Sequence, residues 1–138
     1  MSAKRPSLIV VCVDLKTVGT IVNATSRSYD LLWARDINAI RTMLDSGAAP
    51  HALLIDNAVP QIAALEVLQI AQKSHGQVKR VLISDYCDLS LIVQGLHTGA
   101  VERIVYKPIT SAELIAALGT PAGAVRSSIM PPANRAAG

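Results

Sequence analysis

The chain has little of what marks several classes of protein. It contains no Phe, one Trp and three Tyr in 138 residues, and its two cysteines, Cys12 and Cys87, have no CxxC or CxxH partner. No apolar run approaches the roughly 20 residues of a membrane-spanning helix. The basic segment 1–6 leads into an apolar stretch without a small-residue cleavage site. We therefore expect no membrane span, no signal peptide and a cytoplasmic domain in which each cysteine is a small buried hydrophobe.

Charge of either sign is also sparse. The formal net charge is +3, and Arg126 and Arg135 lie in a C-terminal segment that has no acid, so the rest of the chain is nearly neutral. The remaining cations are scattered among acids, without the basic stripe or aromatic platform that nucleic-acid binding needs. This pattern excludes nucleic acid as a direct partner and gives no reason to expect a membrane partner.

Apolar residues, in contrast, are abundant enough for one core. They make up 51% of the chain, and short apolar runs alternate with stretches of helical periodicity, as in a βα repeat on a parallel sheet. The predicted strands cover residues 8–13, 29–34, 51–55, 80–84 and 103–106, and an amphipathic helix follows each strand. The sequence therefore predicts one α/β domain, with Trp33 and the Leu and Ile stripes in its core.

Turn and capping residues set the expected boundaries. Asp36 and Asp88 are candidate helix N-caps, and Gly47 and Gly99 are candidate helix ends. Residues 7–118 are predicted to form the domain, after an N-terminal extension at 1–6. Residues 119–138 are rich in Pro, Gly, Ala and Ser and lack periodicity, so they are predicted to be a flexible tail or linker.

Polar side chains mark the ends of four predicted strands. Asp14 follows the first strand, Asp56 the third and Lys107 the fifth, while Ser84 ends the fourth. Because open parallel sheets bind ligands beyond the carboxyl ends of their strands, we expect these side chains at one edge. Two carboxylates with backbone carbonyls suit Mg²⁺, and a hydroxyl and an ammonium group can hold phosphoryl oxygens.

These residues carry a resemblance to a known family. The segment 53–60 (LLIDNAVP) resembles the phosphoacceptor strand of the receiver domains of two-component response regulators, with the Asp four residues before the Pro. Residues 83–84 (IS), 99–100 (GA) and 106–108 (YKP) match further receiver motifs in order and spacing. The likeness covers about residues 6–118. The stretch 83–89, together with Arg103, is most similar to receivers of HD-type phosphodiesterases or hybrid histidine kinases.

The resemblance implies both a fold and a site. The fold would be a flavodoxin-like (βα)5 three-layer sandwich with strand order 2-1-3-4-5. Asp56 would accept a phosphoryl group from a histidine kinase or a phosphotransfer protein. Mg²⁺ would be held by Asp14, Asp56 and the carbonyl of Asn57, and Ser84 and Lys107 would bind the transferred group.

A docking surface is implied as well. In the family, switching reaches the face made by the fourth helix, the fifth strand and the fifth helix, where Arg103, Ile104 and Tyr106 lie. Ile104 stands where receivers have an aromatic switch residue, and strand alternation puts Tyr106 on the same side as Ile104 and opposite Lys107. We expect these residues to anchor a partner, either an output domain or a second copy in a homodimer.

Two further departures from the family weaken the predicted site. Receivers carry two adjacent acids after the first strand, whereas Val13 and Leu15 flank Asp14 here. If Val13 replaces the first acid, Mg²⁺ loses an outer-shell partner, and if Leu15 replaces the second, it loses a direct ligand. Asp85 replaces a small residue, and at about 7 Å and a dielectric constant near 20 it would repel each phosphoryl charge by roughly 2 kcal/mol if it points inward.

Two functions are therefore open. The first is a working receiver that has no enzymatic activity of its own. The second is a pseudo-receiver, which keeps the fold and acts as a protein-binding or dimerisation module without phosphorylation. A metabolic enzyme is disfavoured because the sequence has no Gly-rich phosphate loop and no Ser or Cys nucleophile with a base.

Overall fold

Strands and helices alternate along the whole domain. The computed structural model describes residues 5–46, 50–59, 62–85 and 89–119. The elements in chain order are β1 (Ser7–Val11), α1 (Leu15–Thr25), β2 (Asp30–Trp33), α2 (Ile37–Leu44), β3 (Ala52–Asp56), α3 (Ala64–Ser74), β4 (Lys79–Ser84), α4 (Leu89–Thr98), β5 (Arg103–Tyr106) and α5 (Ser111–Leu118). Each predicted strand and helix is present.

The five strands form one parallel sheet in the order β2-β1-β3-β4-β5. Buried side chains of α1 and α5 pack on one face of the sheet, and those of α2, α3 and α4 pack on the other. The central strand β3 is buried throughout, which explains its unbroken apolar run. The architecture confirms the flavodoxin-like three-layer sandwich that the resemblance implied.

Local signals confirm several predicted boundaries. The Asp36 side chain caps α2 by accepting a hydrogen bond from the Ala39 N–H at 2.8 Å. Gly99 follows α4 with a φ of 80°, a backbone conformation that glycine adopts without strain. The predicted cap Asp88, the predicted stop Gly47 and the tail beyond residue 119 lie outside the described residues.

The predicted end of the first strand is wrong by two residues. Pairing of β1 with β3 ends at Val11 and Ile55, and the backbone then leaves the sheet. Asp14 becomes the N-cap residue of α1, and its carbonyl accepts a hydrogen bond from the Val18 N–H at 2.9 Å. The carboxylate is therefore carried by the start of a helix and not by the end of a strand.

The prediction that Trp33 belongs to the core is also wrong. Its side chain is 43% exposed, because β2 is an edge strand and Trp33 is its last residue. Two residues of the predicted apolar helix faces, Leu96 in α4 and Ile115 in α5, are also about half exposed. Apolar periodicity identified these elements correctly but overestimated how much of each stripe the sheet covers.

One buried cation escaped the sequence analysis. Arg80, in β4, is only 6% exposed, and its guanidinium donates hydrogen bonds to the carbonyls of Gly76, Val78, Gly99 and Ala100 at 3.0–3.2 Å. It thereby joins the turn before β4 to the turn after α4. In the described part of the chain, no helix is long and apolar enough to cross a bilayer.

Candidate functional site

The predicted site residues meet at the carboxyl edge of the sheet. Asp56 is the last residue of β3, and Lys107 directly follows β5. The Lys107 Nζ lies 2.8 Å from the Asp56 Oδ2 and 3.7 Å from the Asp14 Oδ2. A single ammonium group therefore bridges two carboxylates that are more than 40 residues apart in the sequence.

The Asp56 carboxylate is buried but fully hydrogen-bonded. Its side chain is 1% exposed. Oδ1 accepts a hydrogen bond from the Ala58 N–H at 2.9 Å, while Oδ2 accepts hydrogen bonds from the Lys107 ammonium and from the Cys12 thiol at 3.4 Å. Burying a charge is costly unless it is paired and hydrogen-bonded, and here both conditions are met.

Lys107 is the cation that makes this burial possible. Burial of the ammonium acts to lower the pKa of Lys107, but the hydrogen bond and the negative charge of Asp56, with the charge of Asp14, outweigh it and raise the pKa above its ordinary value. Lys107 therefore remains charged throughout the physiological pH range. Its side chain is 21% exposed, so the open side of the pair is the lysine side.

Asp14 lies at the solvent side of the same cluster. The Thr17 hydroxyl donates a hydrogen bond to the Asp14 Oδ2 at 2.5 Å. That hydrogen bond, more than the nearby Lys107 ammonium, lowers the pKa of Asp14 below its ordinary value. The neighbouring Val13 and Leu15 are 62% and 84% exposed. Of these three residues, Asp14 is therefore the one whose side chain approaches Lys107. Val13 and Leu15, where a receiver would carry its second acid, are both exposed to solvent.

These groups offer Mg²⁺ a sparse set of ligands. The residues that the structure describes contain no group of three or more His, Cys, Asp or Glu suited to a metal ion. The donors predicted from the sequence are the carboxylates of Asp14 and Asp56, which lie 3.7 Å and 2.8 Å from the Lys107 ammonium, and the Asn57 carbonyl. Mg²⁺ commonly binds one or two carboxylates, several waters and phosphate oxygens, so the set fits only a weak site that a phosphoryl group would help to complete.

Ser84 is buried in a different arrangement from the one predicted. Its side chain is 1% exposed, and its hydroxyl donates a hydrogen bond to the Asp85 carbonyl at 3.0 Å. The single hydroxyl proton is therefore engaged by the backbone. Before Ser84 could donate to a phosphoryl oxygen, the hydroxyl would have to rotate.

The Asp85 side chain is exposed. It lines a cleft of about 280 Å³ that Asp14, Lys107 and Pro108 also line. Solvent screens the field of an exposed carboxylate. Asp85 therefore repels a phosphoryl group less than it would if its side chain pointed inward. Asp85 remains a negative charge at the approach to the site.

Cys12 is a site residue that the sequence analysis missed. We predicted a small buried hydrophobe, but the side chain is half-buried and donates the 3.4 Å hydrogen bond to Asp56. Burial, reinforced by the negative charge of Asp56, raises the pKa of the Cys12 thiol to about 11. The thiol therefore stays protonated and acts as a hydrogen-bond donor. Composition gave no signal of this role, since it depends on the backbone leaving β1 just before this residue.

The predicted docking residues lie together at the far edge of the sheet. Arg103, Ile104 and Tyr106 line a shallow cavity of about 270 Å³ with residues of α5. Ile104 and Tyr106 pack against the same core cluster, as strand alternation predicted. Arg103 is exposed.

Comparison with known proteins identifies the fold. No family profile and no curated protein matches the chain. Among solved structures, it resembles the signal receiver domain of an HD domain-containing protein from Pseudomonas fluorescens Pf-5, with a TM-score of 0.73, 24% identity and coverage of 86% of this chain and 87% of that one. It also resembles the N-terminal signal receiver domain of a response regulator from Bacteroides fragilis, with a TM-score of 0.72, 19% identity and coverage of 83% and 94%.

A third similar structure is described as an adenylate cyclase from Rhodopirellula baltica, with a TM-score of 0.73, 17% identity and coverage of 83% of this chain and 84% of that one. At these identities the likeness establishes the fold. The chain has the fold of response regulator receiver domains, as its motifs indicated.

Proposed function

We propose that this domain is a receiver of two-component signalling that accepts a phosphoryl group on Asp56. The observation that carries the proposal is the buried pair of Asp56 and Lys107 at the carboxyl edge of the sheet. A buried, charged carboxylate joined to one lysine is costly to build for stability alone. The motifs around both residues and the receiver fold support the same assignment.

The proposed chemistry is a single transfer. An oxygen of Asp56 attacks the phosphorus of a phosphohistidine on a histidine kinase or phosphotransfer protein. The P–N bond breaks, its electrons remain on the imidazole, and an acyl phosphate forms on Asp56. Mg²⁺ held by Asp14, Asp56 and the Asn57 carbonyl would neutralise charge on the phosphoryl oxygens. Lys107 moves from the carboxylate to a phosphoryl oxygen and so keeps an anionic partner.

Contacts that cover Asp56 must break before the phosphoryl transfer. Asp56 is 1% exposed, and its Oδ2 is covered by both Lys107 and Cys12. The carboxylate therefore has to lose at least one of these contacts before a donor can reach it. We expect slow phosphorylation for this reason, and the absence of a second acid beside Asp14 adds to it.

The expected output is a change in protein docking. When Lys107 moves to the phosphoryl group, we expect the movement to reach the adjoining strand β5, whose residues Arg103, Ile104 and Tyr106 form the docking surface. The partner would be an output domain or a second copy of the domain. The domain would act in the cytoplasm, without catalysing a reaction on a substrate of its own.

The test is phosphorylation by phosphoramidate, a small donor with the P–N bond of phosphohistidine, in the presence of Mg²⁺. We expect intact-protein mass spectrometry to show one added phosphoryl group that hydroxylamine removes. Asp56→Asn should abolish it. Asp30→Asn is the matched control, because Asp30 is an exposed carboxylate paired with Arg5 on the opposite edge of the sheet. An unmodified wild type, or equal labelling of both variants, would contradict the proposal.

A pseudo-receiver is the second candidate, favoured by the closed state of Asp56 and by the exposed apolar residues Val13 and Leu15, which flank Asp14 where a second acid is missing. In that case a partner would bind without phosphate. A complex that is lost in Tyr106→Ala but intact in Asp56→Asn would support the pseudo-receiver. The reverse pattern would support the phosphorylated receiver.

A further inference from the structure

A second cavity opens at the carboxyl edge of the sheet, beside the phosphoacceptor. It encloses about 590 Å³ between the ends of β1 and β2 and the start of α1. Its lining includes Cys12, Val13, Leu15, Trp33, Arg35 and Val59. The volume lies in the range of small-molecule sites, and open parallel sheets bind their ligands at this edge.

Several apolar side chains that line the cavity are exposed to solvent. Val13, Leu15 and Trp33 are 62%, 84% and 43% exposed, and they are half of the large exposed hydrophobic residues in the described part of the chain. They come from two separate segments and converge on one cleft. Single exposed apolar residues are ordinary, but several around one concave surface indicate a binding site.

The charge of the cleft is positive. Arg35 is exposed at the lining, and in the described part of the chain it makes no ion pair or hydrogen bond. No acid is among the described residues that line the cavity. A guanidinium group beside an apolar cleft that contains an indole ring suits an anion with an aromatic ring.

We propose that this cleft binds a small aromatic anion, with its ring against Trp33, Val13 and Leu15 and its acidic group on Arg35. The site is separate from the Asp56 oxygens and requires no phosphorylation. It is therefore independent of the receiver function proposed above.

The test uses 8-anilinonaphthalene-1-sulfonate, an aromatic sulfonate, as the probe. Trp33 is the only tryptophan of the chain, so energy transfer from its indole to the probe shows that the probe is bound to this domain, and the variants below assign the binding to this cleft. We expect saturable binding of one probe per chain. Binding should be weakened by about tenfold or more in Arg35→Glu, which reverses the charge that holds the sulfonate.

Two further variants test the apolar part, and each charge-introducing variant has a matched control. Val13→Asp should also weaken binding by about tenfold, since it places a carboxylate in the cleft. Val93→Asp is the matched control for Val13→Asp, because Val93 is 64% exposed on α4. Arg27→Glu is the control for Arg35→Glu, because Arg27 is an exposed residue of the turn between α1 and β2. Leu15→Ser repeats the apolar test at a residue that is 84% exposed, should Val13→Asp lower the melting temperature.

The outcomes are distinct. Binding weakened by the cleft variants and unchanged in both controls supports the site. Absent energy transfer at saturating probe, or equal loss in the controls, overturns it. So does a dimer, seen by analytical ultracentrifugation, that excludes the probe, because a second copy would then be the occupant. Asp56→Asn should bind the probe as the wild type does, which separates this result from the fate of the phosphorylation proposal.

Discussion

Removing Lys107 should destabilise the fold far more than removing the charge of Asp56. In Lys107→Met the side chain keeps its length and apolar stem, but a carboxylate that is 1% exposed loses its cation. The remaining donors are the Ala58 N–H and the weak thiol donor of Cys12. Breaking a buried pair in this way costs about 3–5 kcal/mol, so we expect a loss of that size in the free energy of unfolding.

Asp56→Asn is the opposite case. The amide has the shape of the carboxylate and is neutral, and the ammonium left behind is 21% exposed and still lies 3.7 Å from Asp14. We expect a change of about 1 kcal/mol or less. The double variant, which has no unpaired charge, should be more stable than Lys107→Met alone.

Urea unfolding of the wild type, both single variants and the double variant measures all four free energies. Equal losses in the two single variants would refute the reasoning, since the argument depends on the difference in burial between the partners. A Lys107→Met loss below about 1 kcal/mol would refute it as well, because it would mean that Asp56 is not a buried anion.

Four further predictions test other parts of the structure. In urea unfolding, Gly19→Ala should stabilise the fold by about 0.5–1 kcal/mol, because a Cβ at this position meets nothing within 4 Å. Gly95→Ala should destabilise the fold by about 1–3 kcal/mol, because its Cβ would lie 2.6 Å from a valine methyl group. Arg80→Met should cost about 3 kcal/mol or more in the same assay, because it orphans buried carbonyls. Burial raises the pKa of Cys12 from 9.0 to about 11, so between these pH values the folded state keeps a proton that the unfolded chain loses. The stability of the wild type should therefore fall as the pH rises through this interval, and it should fall less steeply in Cys12→Ala. Val13→Asp, at a position 62% exposed, should raise Mg²⁺ affinity by about tenfold in an NMR titration.

Each of these has an outcome that contradicts it. Equal effects of the two glycine substitutions would show that local packing does not decide their sign. A loss below about 1 kcal/mol in Arg80→Met would show that the buried carbonyls do not depend on the guanidinium for their hydrogen bonds. An alkaline slope unchanged in Cys12→Ala would place the titrating group elsewhere, and unchanged Mg²⁺ affinity in Val13→Asp would mean that an acid at Val13 does not complete the site.

Much of the fold is encoded in local pattern. The boundaries of β5 were predicted to the residue, because a short apolar run ends at a Lys-Pro pair. Asp36 correctly predicted the start of α2, because its side chain suits a helix N-cap. Trp33 was misassigned because its exposure depends on the position of β2 at the sheet edge, which periodicity within one segment does not contain.

The site divides in the same way. That Asp14, Asp56, Ser84 and Lys107 share one edge follows from the parallel topology. The hydrogen bond from the Ser84 hydroxyl to its neighbour's carbonyl and the thiol contact of Cys12 with Asp56 depend on side-chain rotamers and on where the backbone leaves β1. The pattern of residues along the sequence does not predict such contacts, so they are seen only in the folded structure.

The most direct test of the receiver proposal is an NMR titration with Mg²⁺ followed by beryllofluoride, a mimic of the phosphoryl group, on the wild type and on Asp56→Asn. The account predicts chemical-shift changes that require Asp56 and extend through Ile104 and Tyr106 to α5. No binding at millimolar Mg²⁺, or the same shifts in both proteins, would contradict it and would leave the pseudo-receiver as the function to pursue.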